Sequence, residues 1–240
     1  MKIARLSLNH GPRFAAVDDR TGNYHVLAGD PIYSGVESTG EVVSAAEANL
    51  VSPMIPRSKV AGLIDASADL TIGPDIFLKP NTSVVGPDVP IVTPTAANRV
   101  EIFPQLAVVI HRLCKDVPLA QVDDVIFGYT VAADARANLA NAPAAARAFD
   151  TSCPIGPVIA TKLPTAVTVT ANRNGVGAVE FVVELDRVKE LVSYISTLFT
   201  LLPGDIILAG APQEVSGSSG DEIVCEIAEI GALRSPVVGS

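Results

Sequence analysis

From Lys2 to Leu8 the chain alternates: Ile3, Arg5 and Ser7 fall on one side and Ala4, Leu6 and Leu8 on the other, until Gly11-Pro12 ends the run. A period of two is the signature of a half-buried strand. Arg13 to Val17 predicts a second strand, Asp18 to Gly22 a turn and Asn23 to Leu27 a third strand, together a small antiparallel N-terminal module. Glu41 to Leu50 reads as a short helix or as a strand plus turn. Two prolines within Val51 to Pro56 deny ladder donors and mark a linker. The pattern thus divides the chain into residues 1–56 and a main domain over 57–240.

In the main domain, Lys59 to Ile64 and Ile76 to Pro80 read as strands, and Ser83 to Pro87 and Val89 to Val92 as short extended pieces. Leu106 to Ile110 is an apolar run of strand length. If that strand extends back, Glu101, Phe103 and Gln105 share one of its faces. Val117 to Val122 is a connector and Val125 to Val131 a buried strand. Ala132 to Ala148 is dominated by alanine and reads as a helix or as loop plus helix, and Pro154 to Pro157 as a turn. Ala166 to Ala171 alternates with β-branched residues, and Asn172 to Gly175 predicts a hairpin turn. Asp186 to Leu202 carries the best helical period, with Val188, Leu191, Val192 and Ile195 at three-to-four spacing. Asp205 to Gly210, Ile223 to Ile227 and Leu233 to Val238 close the chain as strands. The fold class is α+β, mostly β.

Hydrophobic residues make up 48% of 240, enough for a sizeable core, and no apolar run reaches membrane-span length. A soluble, cytoplasmic protein is the expectation. A net charge of -9 without a basic patch argues against a nucleic-acid partner. Aromatics at 5%, with no Trp, leave few stacking platforms. Cys114, Cys153 and Cys225 form no CxxC pair and read as buried thiols. His10, His25 and His111 are isolated, and Ser216 to Gly220 is a loop with no Lys or helix start behind it to cradle phosphate.

Six segments in order resemble the fumarylacetoacetate hydrolase superfamily: Phe77-Leu78-Lys79-Pro80 with Ser83 to Pro87; Leu106 to Ile110; Phe127 to Asp134; Phe149 to Pro157; Leu201 to Pro212; and Ile230 to Leu233. The resemblance spans the chain and implies a mixed β-sandwich roll, a small N-terminal domain and a homodimer. It also implies a Mg, Mn or Ca ion held by three carboxylates, a 1,3-dicarbonyl or 2-oxo acid substrate and a His–Glu pair on a short lid. Alternating carboxylates on one strand suit a hard cation because they share a face.

The residues at those positions differ from the pattern. Asp134 matches the third ligand and Lys79 the lysine of the Lys-Pro strand, while Arg147 stands where the family often has lysine. The other two ligand positions are Phe103 and Gln105, and neither a His nor a Glu stands where the lid dyad would, in Gly62 to Leu70. Glu101 and Asp134 are weak metal candidates, and no cofactor is expected unless the ordinary Mg or Mn chemistry survives. Lys79, Asp134 and Arg147 are the candidate catalytic residues. Phe103, Gln105, Ala211, Pro212 and Gln213 are the candidate substrate contacts. Three readings follow: an enzyme repurposed for metal-independent isomerisation, cyclisation, decarboxylation or dehydration of an enolisable carbonyl compound; a catalytically silent binding protein; or the ordinary metal-dependent hydrolase or decarboxylase.

Overall fold

The computed structural model describes residues 1–65, 67–139, 141–210 and 213–240. The alternating N-terminal runs form β1 (Lys2–Leu8), β2 (Gly11–Val17) and β3 (Tyr24–Leu27). After one helical turn, α1 (Pro31–Ser34), comes β4 (Ser38–Val43), so the stretch beginning at Glu41 is the end of a strand and a turn. The main part follows with β5 (Lys59–Leu63), β6 (Ile76–Pro80), β7 (Val84–Val85), β8 (Ile91–Thr93), β9 (Val100–Ile110) and β10 (Ile126–Ala137). Then come α2 (Pro143–Arg147), β11 (Cys153–Ala160), β12 (Ala166–Arg173), β13 (Val176–Glu184) and α3 (Leu185–Leu198). The chain ends with β14 (Ile206–Gly210), β15 (Val215–Gly217), β16 (Glu222–Ile227) and β17 (Gly231–Gly239).

Among the described residues the strands form two sheets. The larger has twelve strands in the order β4-β3-β2-β1-β11-β10-β9-β14-β5-β6, with β15 added to β9 and β7 to β11. The smaller runs β13-β12-β16-β17-β8. The N-terminal strands extend the larger sheet, because Lys2 and Ile3 pair with Ala160 and Ile159. A large apolar core includes Leu106, Val108, Val131 and Ala133 of the larger sheet together with Val169, Ile223 and Leu233 of the smaller. A second cluster, with Phe77, Ala107, Val109, Ala132 and Ile155, covers the opposite face of the larger sheet. No helix among the described residues is long and apolar enough to cross a membrane.

Two expectations need correction. Ala132 to Ala137 is strand, paired residue by residue with β9, and the helix is confined to Pro143–Arg147. Alanine favours helix in isolation, but pairing and burial on both faces override that preference here. Pro154 to Pro157 lies inside β11, which pairs with β10 and, through Cys153 and Pro154, with β7. The best-patterned helix forms as expected, burying Val188, Leu191, Val192 and Ile195, but it stops at Leu198. Leu201 is drawn into a bridge with Cys114, and the Leu202 amide donates to Asp205.

Asp205 fixes the start of β14 beside β5. Its carboxylate accepts from the Ser58 and Lys59 amides at 3.0 and 3.2 Å, the Leu202 amide at 3.0 Å and the Ser58 hydroxyl at 2.7 Å. Lys59 Nζ adds a contact at 2.8 Å. This knot holds the parallel β14–β5 pair, whose neighbours β9 and β6 carry the candidate site.

Candidate active site

Strand register assembles the site. In the antiparallel β9–β10 pair, Glu101 stands opposite Arg136, Phe103 opposite Asp134 and Gln105 opposite Ala132. Directly paired residues share a face, so Glu101, Phe103, Gln105, Asp134 and Arg136 lie on one side of the sheet. Pro104 does not interrupt β9, which runs unbroken from Val100 to Ile110. On the other flank Gln105 pairs with Gly210 of β14, where a Cβ would lie 1.6 Å from Gln105 Oε1. Glycine at 210 is therefore what lets the Gln105 amide lie across β14. In the same way Phe77 crosses Gly62, where a Cβ would meet its ring at 2.6 Å.

Lys79, Asp134 and Arg147 come together from β6, β10 and α2, and all three are buried. Lys79 Nζ lies 2.7 Å from Asp134 Oδ1, and Arg147 Nη1 contacts Asp134 Oδ2. Asp134 Oδ1 receives no hydrogen bond among the described residues, so its contact with Lys79 is an ion pair away from hydrogen-bonding geometry. The ammonium points its protons elsewhere. It donates to the carbonyls of Ala135 at 3.0 Å, Arg147 at 2.6 Å and Ser152 at 3.1 Å. Lys79 thus ties β6 to β10, to the end of α2 and to the turn before β11.

The Arg147 guanidinium is 4.4 Å from the Phe77 ring centroid and 5.1 Å from that of Phe103. Such contacts orient a cation and stabilise it in a desolvated place. Phe103, at a position where the resemblance implies a carboxylate, instead supports a guanidinium. One residue after Ser152, burial pushes the Cys153 thiol up to about 12, with smaller opposing effects from Lys79 and Asp134. That thiol is a core group rather than a nucleophile.

Charge counting defines what the arrangement can do. Lys79 and Arg147 contribute two positive charges and Asp134 one negative charge, leaving one buried positive charge in excess. Arg147 carries that charge to a cavity of about 200 Å³ that is also lined by Phe103, Gln105, Glu184 and Arg187. The Gln105 side chain makes no hydrogen bond with the other described residues, and it lines this cavity. A second, larger cavity of about 850 Å³ begins on another side of Arg147 and runs along β6 and α2.

The remaining sequence candidates are dispersed. Glu101 is held by Arg136, which donates through Nε at 2.8 Å and Nη2 at 2.5 Å. Gln213 is exposed and lines neither cavity. Ala211 and Pro212 lie outside the described residues. The sequence reading missed Glu184 and Arg187 at the start of α3, and Phe77. Glu184 and Arg187 are three apart and precede buried Val188. That spacing puts two polar residues on adjacent turns at the helix end, a signal of location but not of which cavity they line.

The residues present do not fit a divalent cation. Among the described residues no three His, Cys, Asp or Glu converge. Phe103 has no donor atom, and both oxygens of Asp134 face cations. A dication added there would join an existing positive excess, where Coulomb repulsion is strong because burial limits screening.

A mixed two-sheet fold, the buried Lys79–Asp134 pair and a cavity lined from β9, β14 and the start of α3 point to one class of protein. The chain belongs to the fumarylacetoacetate hydrolase family: residues 57–238 match the model of the fumarylacetoacetate (FAA) hydrolase C-terminal domain. Residues 1–53 match the Rv2993c-like N-terminal domain. The chain is 34% identical to protein Rv2993c of Mycobacterium tuberculosis, over 99% of this chain and 98% of that protein. It is 32% identical to the mitochondrial oxaloacetate tautomerase Fahd2a of Rattus norvegicus, over 78% of this chain and 72% of that protein. Among solved structures, a 5-carboxymethyl-2-hydroxymuconate delta-isomerase from Mycobacterium smegmatis superposes with a TM-score of 0.88 at 33% identity, covering all of both chains.

Proposed function

We propose that this enzyme catalyses metal-independent tautomerisation or isomerisation of an enolisable 2-oxo acid. The observation that carries the reading is the unbalanced buried charge of the Lys79–Asp134–Arg147 group, presented to a cavity by Arg147. An anion completes that balance. The names of the Fahd2a relative and the Mycobacterium smegmatis structure, a tautomerase and an isomerase, favour this reaction type over hydrolysis.

The chemistry needs no activated water. Removing a proton from C3 of a 2-oxo acid moves the electron pair of that C–H bond into a C2–C3 double bond and places negative charge on the C2 oxygen. Donors already aimed at that oxygen stabilise the enolate more than the ketone. Arg147 and the Gln105 amide are those donors. Glu184, the one carboxylate among the described residues lining the smaller cavity, accepts the C3 proton. The same proton returned to oxygen gives the enol, and returned to a conjugated carbon gives an isomer. Asp134 orients the guanidinium, and Lys79 holds Asp134 and α2 in place; both act as positioning residues.

Oxaloacetate is a small reporter for this reaction. Its enol–keto interconversion, followed by loss of enol absorbance, is expected to be accelerated equally with EDTA and with added Mn²⁺. Arg147→Gln is expected to cost about a hundredfold in kcat. A wild-type rate no greater than buffer, or a rate abolished by EDTA and restored by Mn²⁺, overturns the proposal.

A further inference from the structure

The two cavities meet at Arg147 and Ile64, which line both. Their characters differ. The smaller one gathers Gln105, Glu184, Arg147 and Arg187. The larger one is walled by Ile76, Leu78, Leu139, Pro143 and Ala144. At about 200 Å³ the first lies below the roughly 300–1,000 Å³ of ordinary ligand pockets, while the second, at about 850 Å³, lies within it. A short acid fills the first and leaves the second open.

The larger cavity has a cation on its wall, Arg136, and the carboxylate beside it on that wall, Glu101, is its direct partner, shared among the described residues only with the half-exposed Arg99 at 3.7 Å outside the cavity. Glu101 accepts from Arg136 Nε at 2.8 Å, and that guanidinium rests 5.1 Å from the Phe103 centroid. A second carboxylate entering there would have to displace Glu101 from a formed ion pair. An apolar group needs only the wall that already exists.

From this we infer that the larger cavity is a subsite for an apolar, preferentially aromatic, tail on the 2-oxo acid, with the acid head in the smaller cavity and Arg147 at the bend. The inference rests on the proposed anion site at Arg147 and specifies its substrate class: arylalkyl 2-oxo acids rather than long 2-oxo dicarboxylates whose second carboxylate would reach the larger cavity, whereas short oxaloacetate stays in the smaller one. Arg147 serves both parts. Its charge faces the head, and the flat guanidinium, stacked against Phe77 and Phe103, continues the apolar floor.

Three 2-oxo acids test it by calorimetric titration of the full chain. They are 2-oxobutanoate, 4-phenyl-2-oxobutanoate and 2-oxoadipate, which share a head and differ in the tail. The phenyl compound is expected to bind at least about tenfold tighter than 2-oxobutanoate, since burial of a ring is worth that much. The dicarboxylate should show no comparable gain. Ala144→Trp, at an exposed position on the cavity wall, should remove the gain while leaving 2-oxobutanoate binding and the Tm unchanged. Leu78→Arg, on the same wall, should do likewise. An equal affinity of the phenyl and short acids overturns the subsite alone, because the head still binds. So does a gain that survives both substitutions, or an equal gain from the second carboxylate. Failure of all three acids to bind brings down the anion site of the proposed function and the subsite with it.

Discussion

Asp205 and Asp134 are both fully buried, and each has a lysine ammonium within 2.8 Å. Everything else about them differs. Asp205 accepts from three backbone amides and a hydroxyl, and its Lys59 keeps a 16% exposed side chain. Among the described residues the Asp134 carboxylate has two cations as its polar partners, and Lys79 is closed off from water. Neutral donors fix a carboxylate without importing charge, so Asp205 is a fastening between segments. A buried lysine and arginine are tolerable at Asp134 because one carboxylate lies between them, and on the proposed reading the remaining charge is met by an anion that enters the cavity.

The same substitution at the two sites separates these roles and gives the largest expected effect. Asp134→Asn leaves two buried cations with no counter-charge and is expected to cost about 3–5 kcal/mol of stability in urea titrations. Oxo-acid turnover should be lost with it. Adding Lys79→Met restores the single positive charge of the native group, so the double variant should recover part of the loss. A double variant no more stable than Asp134→Asn alone would sink the charge-balance account.

How far the sequence discloses each region follows from these physical differences. Strands with alternating Ile, Val and Thr are legible because only one face is apolar. β10 is not, because Val131, Ala133 and Ala135 face one core while Ala132 lies in the other. Small residues on both faces erase the alternation and leave a string that resembles helix. The register facing Asp134 with Phe103 can be suspected once β9 is extended back to Glu101, and Lys79, Asp134 and Arg147 stand out by family resemblance. Their mutual contact is not visible, since it depends on where β6 and α2 end. Glu184 and Arg187 are hidden for the same reason: that the start of α3 lines the same cavity as β9 and β14 follows from tertiary packing, not from local pattern.

The fastening at Asp205 gives a smaller, pH-dependent effect. Burial alone would raise its pKa, but hydrogen bonds from Lys59, Leu202 and Ser58, with the Lys59 charge, outweigh it and hold the value below that of an ordinary aspartate. A depressed folded pKa means stability that is full above the unfolded value, near about 3.9, and lost as pH falls through the folded one. Asp205→Asn keeps an acceptor oxygen for the amides and is expected to cost about 1–3 kcal/mol. That gap should stay level from neutrality down to about pH 5 and narrow below about pH 4. The variant should retain full turnover, because Asp205 touches neither cavity. A gap that widens in acid would contradict the assignment.

The smallest effect belongs to Glu101, on the same sheet face as Asp134 but turned to a different partner. Its side chain is 17% exposed and that of Arg136 is 40% exposed, so water screens the pair even though the contact is short. Exposed pairs of this kind are worth about 0–1 kcal/mol, and Glu101→Gln should change the urea midpoint by no more than that implies. The substitution also asks whether Glu101 is a displaced metal ligand. If it were, replacing the carboxylate would weaken Mn²⁺ binding measured by calorimetry. If Glu101 serves only to neutralise Arg136, wild type and variant should give the same Mn²⁺ titration. The freed Arg136 charge should then let 2-oxoadipate bind more tightly than in the wild type, by a few-fold at most because that guanidinium is partly in water. An unchanged affinity for the dicarboxylate would mean that Glu101 is not what keeps a second carboxylate out of the larger cavity.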